Sequence, residues 1–388
     1  MLDALNIVVF MGGLLRNISL HVAKRHFIPS KITKIRFLME RRTTFAGGEN
    51  KLDGRFRSAT DTSHVRSPKK HCSCLELVRE TIPALVNCSH KGQLGRIGVI
   101  GGCQEYTGAP YFAAISALKA GADLSHVFCT SDAALVIKSY SPELIVHPLL
   151  DRKTAVKEVK DWLSRLHCLV VGPGMGRNPT IIENVKGVLE LAKEQGKLLV
   201  IDADGLYMIT SYPDIIKNYT KAILTPNAME FTRLYSTMFG REPDPSIDTS
   251  DHVTQLCREL GGVTICRKGQ EDILADGKDV VHCTTEGSNR RCGGQGDLLS
   301  GSMGVFFHWA DMAFKKMSKD ERACAYGRSL VAAYGACALT RTCNRLAFAK
   351  YRRNMTTTDM IPEIHDAFEL LFPEKKQDEP VTRQEHTV

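Results

Sequence analysis

The segment Arg291–Gly301 carries the pattern that points most directly to chemistry. It reads Arg-Cys-Gly-Gly-Gln-Gly-Asp-Leu-Leu-Ser-Gly. Successive glycines let backbone N–H groups converge without Cβ atoms in the way, and a helix that begins near Gly296 adds its positive end, so this turn can bind an anion such as a phosphate. Asp297, in the first helical turn, can then accept the proton of an attacking hydroxyl, which is the general-base role in phosphoryl transfer. Taken alone, the same residues also fit a tight turn in which Asp297 only caps the helix.

Polar residues follow several other apolar runs, at the positions where parallel sheets bind ligands. Asn227 and Glu230 stand three residues apart and could hold a hydrated Mg²⁺ against phosphates, because this ion prefers oxygen ligands and keeps its waters. The same pair also fits a helix cap followed by a solvated acid. Lys268 offers a cation to nucleotide phosphates, although alone it is typical of an ordinary surface lysine. Asp202 and Asp204 are interpreted as one helix cap and one carboxylate that faces the site, and neither is assigned a catalytic role.

These residues need a sheet to position them, and the chain from about Arg96 onward predicts one. Short apolar runs, each closed by glycine or a polar turn, alternate with amphipathic stretches, which is typical of a parallel sheet covered by helices. The predicted strands are Ile97–Ile100, His126–Cys129, Cys168–Val171, Leu198–Ile201, Ala222–Leu224, Val263–Cys266 and a later pair around Ile273 and Val280. Helices are predicted from Pro110 to Gly121, from Asn178 as a cap with Pro179 behind it, and after Asp204, Asn227, Asp251, Gly296 and Asp320. This order predicts a doubly wound α/β layer structure.

Composition and charge place the chain among proteins with a large core and a basic leader. It has 388 residues with 43% hydrophobic content, enough for one α/β domain or two smaller ones. The formal net charge of +8 is concentrated near the N-terminus, so we interpret it as a targeting signal and expect no nucleic-acid partner. The stretch Leu14–Phe45 is basic and, apart from Glu40, free of acids, which indicates a mitochondrial presequence; an untargeted leader on a cytoplasmic protein is the alternative. The apolar run Ala4–Leu15 is too short to span a bilayer, so no membrane partner is expected either.

Cysteine usage and missing motifs narrow the chemistry further. The thirteen cysteines are scattered through apolar segments without a Cys-x-x-Cys pair, so we expect buried, reduced thiols. The chain has no Gly-x4-Gly-Lys-Ser/Thr loop, no Gly-x-Gly-x-x-Gly after its first strand, and neither His-Glu-x-x-His nor Gly-x-Ser-x-Gly. With those motifs absent, phosphoryl transfer is the chemistry that the remaining motifs indicate.

In combination, these motifs resemble the ribokinase-like superfamily and, within it, the ATP-dependent (S)-NAD(P)H-hydrate dehydratases. The resemblance runs from about His71 to about Phe372 and is carried by Gly101–Pro110, Gly172–Gly176, Asp202–Leu206, Thr225–Asn227 and Gly293–Asp297. It implies a three-layer α/β/α fold with a central, mostly parallel sheet over residues 71–372, between a leader at 1–70 and a disordered tail at 373–388. It also implies a lyase that uses ATP and Mg²⁺ to repair (S)-6-hydroxy-NADH and -NADPH (NADHX and NADPHX), by phosphorylating the hydroxyl and then eliminating phosphate.

The resemblance assigns site residues as well. Asp297 would be the catalytic base. The residues implied on the hydrate side are Gly174, Asn227, Ala228, Met229, Glu230, Phe231, Thr232, Arg233 and Asp297. Those implied on the ATP side are Lys268, Gly269, Gln270, Glu271, Asp272, Gly287, Ser288, Asn289, Arg290, Arg291, Cys292, Gly293, Gly294, Gln295 and Gly296. Arg290 or Arg291 would neutralise phosphate charge, and Mg²⁺ would be held through the phosphates, with Asn227 and Glu230 as candidate ligands.

The sequence leaves two alternative functions open. A sibling kinase of a vitamin alcohol, such as a thiazole or pyrimidine, would release its phosphorylated product intact. A nucleotide-binding sensor that has lost catalysis is the other, although the intact Asp297 argues against it. The sequence also leaves a homo-oligomer open.

Overall fold

Short runs of buried β-branched and aliphatic residues form the central sheet of the computed structural model, which describes residues 73–85, 90–319, 321 and 325–373. All four residues of the fourth strand and of the fifth are buried, as expected where helices cover both faces. The strands are β1 (Arg96–Ile100), β2 (Leu124–Cys129), β3 (Ile145–Pro148), β4 (Cys168–Val171), β5 (Leu198–Ile201), β6 (Ala222–Leu224), β7 (Thr264–Arg267), β8 (Asp272–Ala275) and β9 (Val280–Cys283).

The sheet order is β3-β2-β1-β4-β5-β6-β7-β8-β9. Pairs from β3 through β7 are parallel, and β8 and β9 continue the sheet in antiparallel fashion. In the central register, Ile97 of β1 lies between Ser125 of β2 and Cys168 of β4. The chain leaves β1 toward β2 on one side and later returns to β4 on the other. The carboxyl ends of β1 and β4 therefore flank the point where the strand order reverses.

Helices follow most strands. In chain order they are α1 (Cys74–Thr81), α2 (Gly108–Lys119), α3 (Ser131–Tyr140), α4 (Ala155–Leu163), α5 (Pro179–Glu194), α6 (Asp204–Ser211), α7 (Ala228–Phe239), α8 (Thr249–Glu259), α9 (Gln295–Lys316), α10 (Arg328–Tyr351), α11 (Thr357–Met360) and α12 (Glu363–Leu371). The α5 start matches its sequence signature, because the Asn178 side chain accepts a hydrogen bond from the Thr180 N–H at 2.9 Å behind a proline at the first helical position.

Two apolar clusters, one on each face of the sheet, make the three layers. On one face α2, α9 and α10 pack together, with Phe306 and Ala333 among their buried residues. On the other face lie buried residues of α4 to α8, such as Leu189 and Tyr235. The α2–α9 contact is close: a Cβ atom on Gly301 would lie 2.0 Å from the Ala113 carbonyl oxygen. This packing holds the N-terminal part of α9 against the central strands of the sheet.

The predicted α/β/α architecture is confirmed, and each predicted strand is present, with Val263–Cys266 moved by one residue to Thr264–Arg267. The edge strand β3 was missed, and so were the helices α1, α3, α4, α11 and α12. The helix predicted after Asp251 begins earlier, at Thr249, where the Asp248 side chain caps it. Asp320 lies outside the described residues, and the next helix begins at Arg328.

Further expectations concern the cysteines, the termini and the membrane. None of the ten described cysteines forms a disulfide, and all but Cys292 are buried, as expected for reduced thiols. The predicted leader at 1–70 and the tail at 373–388 lie outside the described residues, except for Pro373. Within the part of the chain that the structure describes, no helix combines the length and apolar character needed to cross a membrane.

Candidate active site

The glycine turn before α9 is open and presents backbone N–H groups. Gly294 adopts φ +92°, where a Cβ atom would lie 2.8 Å from the Phe112 ring, so glycine is required there. No side chain caps the helix, and the Leu298 N–H donates to the Gly294 carbonyl at 3.0 Å as the helix starts. A Cβ atom on Gly293 would meet nothing within 4 Å. The first-turn N–H groups are thus free to bind an anion, as predicted.

Asp297 lies in this first helical turn and is 9% exposed. Burial, followed by repulsion from Asp202 and Asp204, raises the pKa of its carboxyl well above the usual value, while attraction to Lys268 partly opposes this. A carboxylate with a raised pKa is a stronger base than a solvated aspartate. The predicted base therefore sits beside the anion-binding turn in an environment that favours proton uptake.

A buried ion pair joins the ends of β5, β6 and β7. Lys268 Nζ lies 2.8 Å from Asp202 Oδ1, and the same oxygen accepts a hydrogen bond from the Thr225 hydroxyl at 2.8 Å. A Cβ atom on Gly296 would lie 3.4 Å from Lys268 Nζ, so the ammonium is next to the glycine turn. Lys268 is therefore held beside the glycine turn, and its contact with a nucleotide phosphate stays a prediction.

Asp202 lies beside Lys268 and the glycine turn, as expected for the carboxylate that faces the site, but the predicted helix cap is absent. No side chain caps α6, so the expectation that one of the two aspartates is a cap is wrong. Asp204 instead accepts a hydrogen bond from the Gly176 N–H at 3.0 Å and lies 3.4 Å from Arg177 Nε. Ala203 between them has φ +47° and ψ −120°, a strained backbone for a residue with a Cβ atom. This bend sends the two carboxylates to different neighbours.

The loops after β1 and β4 are pressed together near Gly174. The Gly102 N–H donates to the Gly174 carbonyl at 3.0 Å. At Gly174, with φ +60°, a Cβ atom would lie 2.8 Å from the Tyr106 carbonyl oxygen. The tight turn explains the glycine itself; its predicted contact with substrate stays a prediction.

The loop Lys268–Asp272 is held by Arg341, which the sequence did not single out. Arg341 Nε donates to Asp272 Oδ2 at 2.6 Å, and its other nitrogens donate to the carbonyls of Gln270 at 2.8 Å and Gly269 at 3.1 Å. Asp272 in turn accepts from the Gly269 N–H at 3.0 Å. Arg341 is one of three arginines in α10, with Arg328 and Arg345, and no local sequence signal distinguishes it from them. Its fork of donors fixes the backbone on the predicted ATP side.

The segment Gly287–Arg291 is shaped by its own arginines and by Asn344. Arg290 donates to the Met355 carbonyl at 3.2 Å, and Arg291 donates to the Ser288 carbonyl at 2.6 Å. Asn344 accepts from the Ser288 N–H at 2.6 Å and donates to the Arg290 carbonyl at 3.3 Å. Both guanidinium groups thus shape the loop. The expectation that one of them neutralises phosphate gains no support from these contacts.

Asn227 and Glu230 form a reciprocal capping box at the start of α7. Asn227 Oδ1 accepts from the Glu230 N–H at 3.0 Å, and Glu230 Oε2 accepts from the Asn227 N–H at 2.8 Å. The cap engages Asn227 Oδ1 and one of the two Glu230 carboxylate oxygens, so the helix-cap interpretation is present, and the role of this pair as Mg²⁺ ligands stays a prediction. Across the described ranges, no group of three or more His, Cys, Asp or Glu side chains could hold a metal ion. Of the other predicted substrate residues here, Met229 is exposed, whereas Phe231 is buried in the core.

The three-layer sheet fold, with a buried carboxylate beside a glycine turn that opens a helix, defines a protein of the ribokinase-like fold class. Comparison with known families makes this specific, because the family model of the NAD(P)H-hydrate dehydratases matches residues 97–366. The chain belongs to the NAD(P)H-hydrate dehydratase family.

Individual relatives agree with this assignment. The chain is 61% identical over 313 residues to an ATP-dependent (S)-NAD(P)H-hydrate dehydratase of Nematostella vectensis, covering 80% of this chain and 85% of the relative. The Homo sapiens protein of the same name is 55% identical over 321 residues, covering 83% and 91%.

Solved structures share the fold. A ribokinase-like superfamily protein of Enterococcus faecalis matches with a TM-score of 0.62 at 20% identity, over 76% of this chain and 94% of that chain. An ADP/ATP-dependent NAD(P)H-hydrate dehydratase of Bacillus subtilis, co-crystallised with ATP and Mg²⁺, matches with a TM-score of 0.56 at 20% identity, over 79% of this chain and 100% of that chain.

Proposed function

We propose that this chain is an ATP-dependent lyase that dehydrates (S)-6-hydroxy-NADH and (S)-6-hydroxy-NADPH to NADH and NADPH. The observation that carries the proposal is the position of Asp297, a buried carboxylate with a raised pKa in the first turn of an uncapped helix behind a glycine turn. Curated relatives at 55% and 61% identity carry the name of this activity.

In the first stage the substrate hydroxyl attacks the terminal phosphorus of ATP. Asp297 takes the hydroxyl proton, the new O–P bond forms, and the bond to the ADP oxygen breaks. The N–H groups at the start of α9 hold the transferred phosphoryl group, and the Lys268 ammonium lies beside them. Asp202 positions Lys268 through the 2.8 Å ion pair. Because the donors are fixed by the fold, they need no reorganisation as charge develops.

In the second stage the ring C–O bond breaks and phosphate leaves. The lone pair of the ring nitrogen drives this departure, and loss of a proton from the neighbouring ring carbon restores the dihydronicotinamide. Phosphorylation is needed because hydroxide is a poor leaving group and phosphate is a good one.

The finer proposal for metal use is that Mg²⁺ enters with ATP and is held mainly by phosphates and water. The described residues fit this arrangement, since they contain no cluster of three or more metal-ligating side chains and the Asn227–Glu230 pair is engaged as a cap. When bound, such an ion neutralises phosphate charge.

The test is to supply purified protein with ATP and the hydrated cofactor and to follow the absorbance of reduced nicotinamide. Restored absorbance that depends on ATP, with ADP and inorganic phosphate released in equal amounts, is the expected result. The relatives with the names given above are NAD(P)H-hydrate dehydratases, which argues against the alternative function of a vitamin-alcohol kinase. It would be supported instead if the hydrate stayed unchanged while a thiazole or pyrimidine alcohol accumulated as its phosphate ester.

Localisation is a separate proposal. We infer from the basic, acid-poor stretch Leu14–Phe45 that residues 1–70 direct the protein to mitochondria. A fluorescent protein fused behind residues 1–70 is expected to enter mitochondria, and a version with the arginines and lysines of 14–45 replaced by glutamine is expected to stay outside. Entry of both fusions would contradict the proposal.

A further inference from the structure

A cavity of about 350 Å³ lies at the carboxyl ends of β1, β2 and β4. Its wall includes Cys103 after β1, Thr130 after β2 and Gly176 after β4. This is the point where the strand order reverses, which is where open α/β sheets bind ligands. Its volume falls at the lower end of the range for small-molecule pockets. None of the predicted site residues lines it, so the cavity has no assigned role so far.

One buried polar group in this wall lacks a partner. Thr130 is 5% exposed, and its hydroxyl has no hydrogen-bond partner in the described structure. It stands directly before α3 but does not cap that helix. Its own N–H is engaged, donating to the Gly102 carbonyl at 3.0 Å. A buried hydroxyl without a partner is uncommon, and a ligand with a polar group in the cavity would satisfy it.

The rest of the wall suits a ligand that donates hydrogen bonds. Glu105 and Asp132 contribute carboxylates, and Asp151 contributes a third that already accepts from the N–H and hydroxyl of Ser131 at 3.1 Å. Carboxylates accept hydrogen bonds from sugar hydroxyls, as in the ribose contact of dinucleotide-binding sheets. They repel phosphate. These three carboxylates therefore suit the hydroxyls of a nucleoside better than a phosphate.

Arg177 stands between this cavity and the reacting centre. It lines the cavity, lies 3.4 Å from Asp204 and has its guanidinium 4.2 Å above the Tyr207 ring. Asp204 in turn lies close enough to Asp297 to raise the pKa of that carboxyl. The Arg177 side chain is 58% exposed, so its guanidinium can also bind an anionic group of a ligand that extends from the cavity. Through Asp204, the chain of neighbours therefore runs from the base to the arginine and on to the cavity.

A hydrated dinucleotide has the same order of groups: nicotinamide, diphosphate, second nucleoside. We propose that the cavity receives the adenosine half of the substrate, with Thr130 bonded to it and Arg177 contacting the diphosphate. This assignment rests on the proposed function.

The experiment compares wild type with Thr130→Val, a change that keeps the shape and removes only the hydroxyl. Thr342→Val is the matched control, because Thr342 is 1% exposed, its hydroxyl also lacks a partner among the described residues, and it does not line the cavity. Losing one hydrogen bond to the substrate should raise the KM for hydrated NADH about 3- to 10-fold in Thr130→Val. The KM for ATP should be unchanged, and Thr342→Val should behave as wild type.

A competitive inhibitor identifies which half of the substrate is involved. Reduced nicotinamide mononucleotide lacks the adenosine half, so its inhibition constant should be the same in wild type and Thr130→Val. An equal rise of this constant would assign the cavity to the nicotinamide half and overturn the proposal, as would an unchanged KM for hydrated NADH. If the wild-type protein shows no turnover of hydrated NADH, both the proposed function and this inference are overturned. If the wild type is active and Thr130→Val has the same KM for hydrated NADH, only this inference is overturned. The melting temperature of Thr130→Val should not fall, since no existing bond is removed.

Discussion

Replacing Asp297 by asparagine is expected to remove activity and to stabilise the protein at the same time. The amide cannot take the hydroxyl proton, so turnover should fall by about 10² to 10⁴, the usual range for a lost general base. Nucleotide binding should persist, because the N–H groups of the turn are unchanged. The assay is ATP-dependent recovery of reduced nicotinamide, together with calorimetric titration of ATP.

The gain in stability follows from the surroundings of the carboxylate. Asp297 is 9% exposed, and its charge meets repulsion from Asp202 and Asp204 that Lys268 offsets only in part. Removing the buried charge should raise the free energy of unfolding by about 1 kcal/mol at neutral pH, or about 1 to 2 °C in Tm.

The stability difference between wild type and Asp297→Asn should depend on pH in a direction set by the raised pKa of Asp297. The pKa of Asp297 in the folded protein lies well above its usual value of 3.8, so the folded state binds an extra proton between the two values. Wild-type stability should therefore decline as pH rises through this window, and the full loss is present above the folded pKa. The asparagine variant lacks this decline. The two Tm curves should converge in acid and separate toward neutral pH.

Asp161→Asn, an exposed change on α4, is the control and should leave both turnover and the Tm difference unmoved. If Asp297→Asn is less stable than wild type at neutral pH, the carboxylate is neutralised by its surroundings and the electrostatic reasoning is refuted. Unchanged turnover would remove Asp297 from the mechanism.

Three further variants address the ATP side. Lys268→Met leaves Asp202, whose side chain is 3% exposed, without its cation, and should lower the free energy of unfolding by about 2 kcal/mol in urea titration as well as weaken ATP binding. Arg341→Lys keeps the charge but loses the forked contacts to the Lys268–Asp272 loop, and should raise the KM for ATP by about tenfold with little change in kcat; an equal fall in kcat would contradict a positioning role. Gly294→Ala forces a Cβ atom into a left-handed turn. It should lower the free energy of unfolding by about 1 to 3 kcal/mol and remove most of the activity, as measured by Tm and by ATP-dependent recovery of reduced nicotinamide.

The sequence predicted those parts of the site that follow local rules. Glycines before an apolar helix indicate an anion-binding turn, and Asp297 is placed by its position in the first helical turn. Asn227 and Glu230 also obey a local rule, but the capping box and the Mg²⁺ pair use the same spacing. Spacing alone could not separate the two interpretations.

The parts that were missed depend on contacts that are distant in the chain or on weak patterns. Arg341 contacts Asp272 across 69 positions, and nothing near it in the sequence marks the contact. The edge strand β3 contains His147 and Pro148 and ends the sheet, so its pattern is too short and polar to stand out. In the sequence, Thr130 is an ordinary polar residue between a strand and a helix. Only the three-dimensional fold shows that it lines a cavity together with residues that follow β1 and β4.

The backbone at Ala203 has a consequence for the rigidity of the site. A residue with a Cβ atom at φ +47° is less favourable there than glycine by about 1 kcal/mol or more. Glycine would relax that bend, but it would also loosen the angle between Asp202, which grips the lysine, and Asp204, which holds the loop before α5. Replacement of Ala203 by glycine would therefore stabilise the bend and at the same time free the two acids to move relative to each other, so alanine keeps their divergence rigid.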